Sequence, residues 1–335
     1  MSELVSIIIP AYNAEQWIDE TVRSALAQTW PRKEIIIVDD GSTDSTLAVA
    51  KGYESKFVKV VTQSNQGVST ARNKGLAFAQ GSYIQWLDAD DLLARDKISR
   101  QLQSAEQGLE SRILLSSSFG AFYFCRERVK VNPTVLWQDL TPVEWMINKL
   151  YYNAWIGLNS WLVSRKLTTL AGPWNEQLVR DNDGEYICRV IAASEKVRFV
   201  PEAMSYCRNC SVASVSKNLS EKARKSVAMS INLCTGYLLS LEKSERTRKA
   251  CVNYMQSYMS LFYPENKAIL VELTALASEL GGQLAVPSVK WKYVLLDKLL
   301  GRRVTKQVMK KLAGMKFRAA VSLDQYLCGL LHDAH

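Results

Sequence analysis

The sequence predicts an α/β domain built on parallel strands, followed by a largely helical, basic region. Three observations carry that prediction. Short β-branched runs alternate with amphipathic helix patterns from Val5 to Leu87. Clusters of Asp, Asn, Ser and Thr fall just after the strand runs. Beyond Ser220 the apolar residues recur almost wholly at helical spacing. Strands separated by single helices pair in parallel through right-handed crossovers, and 335 residues with 47% hydrophobic content can bury a sizeable core.

The elements follow in order. Val5–Ile9 is a β-branched strand, and Asn13 is placed to cap a helix over Ala14–Gln28 whose Trp17, Ile18, Val22, Ala25 and Leu26 share one stripe. Glu34–Val38 reads as a buried strand, Ser42 and Thr43 cap a helix to about Tyr53, and Val58–Thr62 is the next strand. A third helix over Val68–Ala79 stops before Gly81, and Tyr83–Leu87 is the fourth strand. From Asp96 the pattern loosens. Ile113–Cys125 is extended, and Thr141-Pro142-Val143-Glu144 is a capping box that opens a helix to about Tyr151. A helix near Asp181–Ser194 and strands Val197–Val200 and Ala203–Cys207 complete a first domain.

Composition removes several chemistries. The two histidines are His332 and His335, so a His-based hydrolase or His-ligated metal centre lacks its imidazole. Seven cysteines include one close pair, Cys207 and Cys210, with no second pair or histidine at zinc-site spacing, which reads as ordinary thiols of a reducing cytosol. The sequons at Asn209 and Asn218 are then coincidental. The first residues lack a basic and apolar leader, and no window reaches the ~18 apolar residues of a membrane span. A cytoplasmic location is expected. The net charge of +9 is concentrated between Lys290 and Arg318, which holds ten Lys/Arg against Asp297. Such a segment attracts polyanions, either nucleic acid or anionic lipid.

Ligands of open parallel sheets bind beyond the carboxyl ends of the strands. Three clusters would meet there: Pro10-Ala11-Tyr12-Asn13, Asp39-Asp40-Gly41-Ser42-Thr43-Asp44, and Asp88-Ala89-Asp90-Asp91. Crowded carboxylates repel and suit a hard divalent ion, Mg²⁺ or Mn²⁺, bridging to substrate phosphates. The alternative is a solvated Asp-rich loop with a helix cap. No GxGxxG or GxxxxGK[ST] phosphate cradle is present. Asp39 and Asp40 suit a uracil N–H or ribose hydroxyls, or else an Asx turn.

Val5-Ser-Ile-Ile-Ile-Pro-Ala-Tyr-Asn13, Ile37-Val-Asp-Asp-Gly-Ser-Thr-Asp44, Asn65-Gln-Gly-Val-Ser-Thr-Ala-Arg-Asn-Lys-Gly75 and Trp86-Leu-Asp-Ala-Asp-Asp91 together resemble the consecutive blocks of family 2 glycosyltransferases. The resemblance covers residues 4–207. It implies a GT-A fold, a Rossmann-like mixed sheet flanked by helices, and inverting transfer from a nucleotide sugar, most often a UDP-sugar, with a divalent cation. It divides residues 1–215 into a nucleotide-sugar half over about 1–95 and an acceptor half over about 96–215, with 216–335 as the helical region. By position, Pro10, Ala11, Tyr12 and Asn13 would line the nucleotide site with Asp40 on the uracil, Arg72 would order the acids, and Asp88 would meet ribose or metal. Asp90 would be the direct metal ligand, with Asp88 and Asp91 as further candidates. Aligning Arg189-Val190 with the family's Arg-Leu makes Asp183 the general base, with Asp181 and Glu185 as competitors. The chain departs from the pattern in having Asn182 where Glu is usual.

The competing readings are a non-catalytic nucleotide-sugar binder, which needs no base, and a nucleotidyltransferase, which would carry a Gly-rich basic loop after the first strand. No nucleic-acid partner is expected, because only the basic segment speaks for one. The acceptor would be a growing saccharide or lipid-linked glycan of the cell envelope, with Trp155, Trp161 and Trp174 as stacking candidates or core. Leu296, Leu300, Val304, Val308 and Leu312 recur every four residues among lysines and arginines, with Leu299 and Met315 beside them. That pattern suits a helix lying on the cytoplasmic face of a membrane through residues 290–318. An accessory helix packed on the catalytic domain, or a homo-oligomer contact, is the alternative.

Overall fold

A computed structural model describes residues 3–105, 112–209 and 218–333. The first half runs β1 (Val5–Ala11), α1 (Ile18–Leu26), β2 (Lys33–Asp39), α2 (Thr46–Lys51), β3 (Val58–Thr62), α3 (Val68–Phe78), β4 (Tyr83–Trp86), β5 (Leu92–Leu93) and α4 (Lys97–Ser104). Next come β6 (Ile113–Phe122), β7 (Lys130–Val131), α5 (Pro142–Tyr152), β8 (Val163–Ser164), α6 (Arg165–Ala171), α7 (Asn182–Ala193) and β9 (Lys196–Arg208). The remainder is α8 (Glu221–Leu241), α9 (Glu245–Phe262), α10 (Lys267–Glu279) and α11 (Val294–Asp333).

One sheet has the order β3-β2-β1-β4-β8, parallel except for β8, which runs antiparallel to β4. A second has the order β5-β9-β6-β7, in which β6 and β9 are parallel. A bridge between Leu115 and Leu162 joins them. Strand β1 is buried along its whole length because helices cover both faces, which is why its sequence is a continuous apolar run. Alternation still sorts its side chains: Ile8 enters one core cluster, and Ile7 and Ile9 enter the other.

Three local expectations are corrected. Asn13 is a left-handed turn residue (φ 48°) and caps nothing; α1 begins at Ile18. Asparagine tolerates that conformation, and its Oδ1 instead accepts the Thr43 N–H at 2.8 Å, tying the β1–α1 loop to the β2–α2 loop. Helix α2 begins only at Thr46, where Asp44 Oδ1 accepts the Thr46 N–H at 3.0 Å. The two strands expected over 197–207 are the single β9, whose register against β6 shifts between Ser117 and Ser118. The capping box at Thr141 forms as expected.

The boundary expected near residue 215, like Cys210 and His335, lies outside the described residues, and the side chain of His332 is not described either. The helices beyond the boundary do not make a core of their own. Ile231 and Leu238 of α8 and Tyr254 and Met255 of α9 share one cluster with Trp145 of α5 and Tyr186 and Ile187 of α7. Helix α11 breaks at Gly301 (φ 76°), so the stripe read as continuous from Leu296 to Leu312 belongs to two segments. The longer segment is moored to the loop that follows β6: Asp324 Oδ2 accepts the N–H groups of Phe124 and Cys125 at 3.0 and 3.1 Å, and Oδ1 meets Arg128 at 3.0 Å. Among the described residues no helix is long and apolar enough to cross a membrane.

Gly75 sets how closely α3 approaches the sheet. A Cβ there would fall 2.4 Å from Ile8 Cγ2 and 3.3 Å from Val38 Cγ2, both buried and β-branched. Gly75→Val is therefore expected to destabilise the fold by roughly 1–3 kcal/mol or more through overpacking, read as a lower urea midpoint at unchanged m-value. An unchanged midpoint would mean that α3 has room to move.

Candidate active site

The parallel register brings the expected clusters to one edge. Ala11 lies level with Asp39, and Ile8 with Trp86, so Asp88 follows β4 close to the level of Pro10. Pro10 and Ala11 are buried and shape the wall, while Tyr12 is half exposed at the edge. Asn13 is committed to the neighbouring loop.

The two acids after β2 are used differently. Asp40 is buried with both oxygens engaged: Oδ1 accepts from Gln63 Nε2 at 2.8 Å and the Gln66 N–H at 2.9 Å, and Oδ2 accepts the Gly67 N–H at 2.8 Å. It fastens the loop that leads into α3. The buried Asp39 Oδ2 accepts the Ser42 N–H at 3.3 Å, whereas its Oδ1 has no partner among the described residues. An unpaired buried acceptor is costly and marks a place where a ligand donor would be accepted.

The Asp88–Asp91 turn is likewise divided. Asp88 Oδ1 accepts from Arg72 Nη2 at 2.7 Å. The Arg72 guanidinium is buried and lies 4.2 Å over the ring of Trp174, so the ion pair is partly shielded from solvent. Asp91 is fully committed: Oδ1 accepts the Arg208 N–H at 2.8 Å and Oδ2 accepts from Asn159 Nδ2 at 3.1 Å. Both of its oxygens thus already serve the fold, which favours Asp90 over Asp91 as the metal ligand. The Asp90 carboxylate is part-buried, and among the described residues no other side chain hydrogen-bonds to it. Burial first, and the neighbouring Asp88 charge second, push it up to about 6. A divalent cation fits this pair, since Asp90 and the outer oxygen of Asp88 are two hard, mutually repelling donors at a sheet edge open to phosphates. No described group brings three such side chains together, and Mg²⁺ is commonly held by one or two carboxylates with the rest supplied by water and phosphate.

Sequence reasoning missed Arg208. Its Nε donates to the Asp90 carbonyl at 2.9 Å, its guanidinium pairs with Glu20, and it lies 4.4 Å from the rings of Trp17 and Phe122. It holds the acidic turn from the far end of β9, and no local pattern around residue 208 signals this.

On the acceptor side, the three candidate bases separate by their partners. Glu185 is buried, with Oε1 accepting from Arg189 Nε at 2.8 Å and from the Tyr237 hydroxyl at 2.8 Å. It is a structural ion pair. Asp181 sits at a left-handed φ of 58° and accepts the Ser230 hydroxyl at 2.6 Å. Asp183, in the first turn of α7, has no side-chain partner among the described residues and lines a cavity of about 720 Å³, solvent included, with Asp181, Trp155 and Trp161. Trp155 is exposed on that cavity, while Trp161 and Trp174 are core. Asn182, the departure from the family pattern, donates from Nδ2 to Ser69 Oγ at 3.1 Å and so ties α7 to α3.

Burial is the main cause that pushes the Asp181 carboxyl up to about 6, opposed by Lys149 and reinforced by Asp183. Because this folded value exceeds the ordinary 3.8, the folded state holds the proton more tightly, and the associated stability is present at low pH and lost as pH rises through about 6. Asp181→Asn, which keeps the Ser230 acceptor and tolerates the backbone, is expected to raise Tm relative to wild type more at pH 7.5 than at pH 5. Equal shifts at the two pH values would remove Asp181 as the cause.

Residues 6–120 match the family model described as Glycosyl transferase family 2. TuaG of Bacillus subtilis, a putative teichuronic acid biosynthesis glycosyltransferase, is 46% identical over 103 residues, which is 30% of this chain and 41% of that protein. WfgD of Escherichia coli, a UDP-Glc:alpha-D-GlcNAc-diphosphoundecaprenol beta-1,3-glucosyltransferase, is 30% identical over 181 residues, 54% of this chain and 66% of that protein. The chain spans less than half the length of TuaG and of an uncharacterized glycosyltransferase of Haemophilus influenzae, of which it covers 48%. The crystal structure of S. aureus TarS 1-349 in complex with UDP-GlcNAc is similar with a TM-score of 0.65 at 17% identity, covering 85% of this chain and 82% of that one, which is a likeness of fold. Residues 6–120 thus place this chain in family 2 of the glycosyltransferases, and its fold is GT-A.

Proposed function

We propose that the chain is an inverting glycosyltransferase that moves a hexosyl or N-acetylhexosaminyl group from a UDP-sugar to a hydroxyl of a saccharide or lipid-linked glycan. The observation that carries this reading is the state of Asp183, a carboxylate without a side-chain partner among the described residues that faces a cavity lined also by Trp155 and Trp161. A non-catalytic binder would not need it. The activity that WfgD is named for, with UDP-Glc as donor and a diphosphoundecaprenol acceptor, favours a UDP-sugar and a lipid-linked acceptor here too. The UDP and UDP-GlcNAc complexes of TarS favour the same donor class.

In this mechanism Asp183 takes the proton of the acceptor hydroxyl as that oxygen bonds to the anomeric carbon, and the bond from that carbon to the diphosphate oxygen breaks on the opposite face. Asp90 and the outer oxygen of Asp88 would hold Mg²⁺ or Mn²⁺, which supplies positive charge to the departing diphosphate. Arg72 keeps Asp88 in place through its 2.7 Å contact. The unpaired Asp39 Oδ1 is suited to a ring N–H of the base, and Tyr12 offers the exposed face for stacking. Asp40, expected on the uracil from the sequence, acts through the loop it fastens.

The testing experiment measures UDP release from a panel of UDP-sugars. With the sugar so selected, Asp183→Asn is expected to lower kcat by roughly 10²-fold or more, the scale of general-base catalysis, while UDP affinity stays within about twofold. Wild-type turnover by Asp183→Asn, or an equal loss in Asp181→Asn, moves the base elsewhere.

The proposal extends to peripheral membrane contact by α11. Val304, Leu312, Met315, Leu323, Tyr326 and Leu330 are exposed and, with Val308 and Ala319 between them, follow at steps of three and four residues. At 100° per residue they form one stripe, bordered by Lys311 and Arg318 on one side and Lys316 on the other. The opposite face carries Asp324, buried against the body of the protein. An apolar stripe with basic borders complements an anionic leaflet, where each lysine or arginine contributes about 1 kcal/mol. The full chain is expected to sediment with anionic vesicles at low salt, and Leu312→Asp with Met315→Asp to weaken this at least tenfold. Equal sedimentation of variant and wild type would place the contact elsewhere.

A further inference from the structure

The cavity that holds Asp183 also holds a cation that the mechanism above does not use. Lys149 lines it from the last turn of α5, and the residue is only 6% exposed. Lysine is almost never buried to that degree without a partner. Here the ammonium has no hydrogen-bond or ion-pair partner among the described residues, and it lies 5.8 Å from the centre of the Tyr254 ring. The buried Lys97 shows the usual alternative, since its ammonium is held by Gln85 and by the Trp161 carbonyl at 3.3 Å. Asp181 lines the same cavity but makes no ion pair with Lys149: its Oδ2 is taken by the Ser230 hydroxyl at 2.6 Å. Burial opposes the charge on Lys149, yet its pKa is displaced upward, with the Asp181 carboxylate among the neighbours that favour the ammonium. Arg180 adds a second positive charge to the lining, with Nη1 donating to the Asn218 carbonyl at 2.7 Å. Trp155, 48% exposed, supplies an aromatic face at the same cavity.

We infer that the cavity is an acceptor subsite for a sugar bearing an anionic oxygen group, a carboxylate or a phosphate, held by Lys149 beside the hydroxyl that Asp183 deprotonates. The inference rests on the glycosyltransferase reading and narrows it to a substrate class. An ammonium already desolvated by the fold gains most from an anion that brings free acceptor oxygens to its N–H groups. A neutral sugar would leave Lys149 unpaired and would forgo that gain. Lys149 is in this account a specificity residue, and Asp183 the residue that handles the proton. The carboxylate of Asp181 limits the subsite to one anionic group, because a second would meet a like charge.

The test uses the full chain with UDP present and ligand-observed NMR titration of three probes: methyl β-D-glucoside, methyl β-D-glucuronide and α-D-glucose 1-phosphate. Wild type is expected to bind at least one charged probe tenfold or more tightly than the methyl glucoside, and the one preferred identifies carboxylate or phosphate. Lys149→Gln is expected to bring the charged probes to the level of the methyl glucoside, and Lys149→Arg to retain the preference. Equal affinity of wild type for all three probes, no saturable binding of either charged probe, or a preference that survives in Lys149→Gln overturns the inference. If Lys149→Gln fails to fold, the wild-type comparison and Lys149→Arg still decide. UDP titrations run alongside separate the two readings: a wild type that does not bind UDP fails the glycosyltransferase reading, whereas UDP binding without charge preference fails the Lys149 subsite alone.

Discussion

The two halves of the site are held in register by Arg72. Its guanidinium pairs with Asp88 at 2.7 Å and lies 4.2 Å over Trp174, and Trp174 in turn stacks on Tyr186 of α7 with ring centroids 4.0 Å apart. Trp86, two residues before Asp88, meets both rings edge-on. The carboxylates at the end of β4 and the free carboxylate of α7 are therefore joined through one buried cation and three aromatic rings. Asn73, the next residue of α3, adds a reciprocal clamp: Nδ2 donates to the Trp174 carbonyl at 3.0 Å and Oδ1 accepts the Trp174 N–H at 2.7 Å. Asn182 and Ser69 close the same seam one turn earlier on α3. The Ala-Arg-Asn block, expected from the sequence to order the acids, also ties α3 to Trp174 and through it to α7.

That arrangement explains how so many acids can sit near one edge without disrupting it. A carboxylate that already accepts two or three hydrogen bonds is fixed in place and has little left for a ligand; one that accepts none retains its full capacity. Asp40, Asp91 and Glu185 belong to the first kind, tied respectively to the loop at 63–67, to Arg208 with Asn159, and to Arg189 with Tyr237. Among the described residues Asp90 and Asp183 accept no hydrogen bond from another side chain, and they are the two to which the proposed mechanism gives a metal and a proton; Asp88 stands between the two kinds, with one oxygen on Arg72.

Much of this was legible in the sequence, and the remainder was hidden for definable reasons. The alternation of strands and helices, and the convergence of residues 10–13, 39–44 and 88–91, follow from local periodicity and from the rule that parallel strands end at one edge. The choice between neighbouring acids does not. Asp39 and Asp40 are adjacent and alike, and only the path of the loop at 63–67 decides which of them is occupied. Asp91 is engaged from Asn159 and Arg208, 68 and 117 residues away in sequence. Asp183 could be placed by its register with Arg189, but its freedom could be recognised only once Asp181 and Glu185 had been seen to be paired. Helical spacing likewise carried the basic stripe through Gly301, where the backbone adopts φ 76° and the stripe changes segments.

The partner-based division of the acids is tested most directly by anomalous diffraction at the manganese edge from crystals of the full chain grown with UDP and Mn²⁺. The account predicts one anomalous peak beside Asp90 and the outer oxygen of Asp88, with Arg72 still on Asp88, Asp91 still held by Arg208 and Asn159, and no peak at Asp183. A manganese ion liganded by Asp91 or Asp183, or bound UDP with no peak at Asp90, would contradict it.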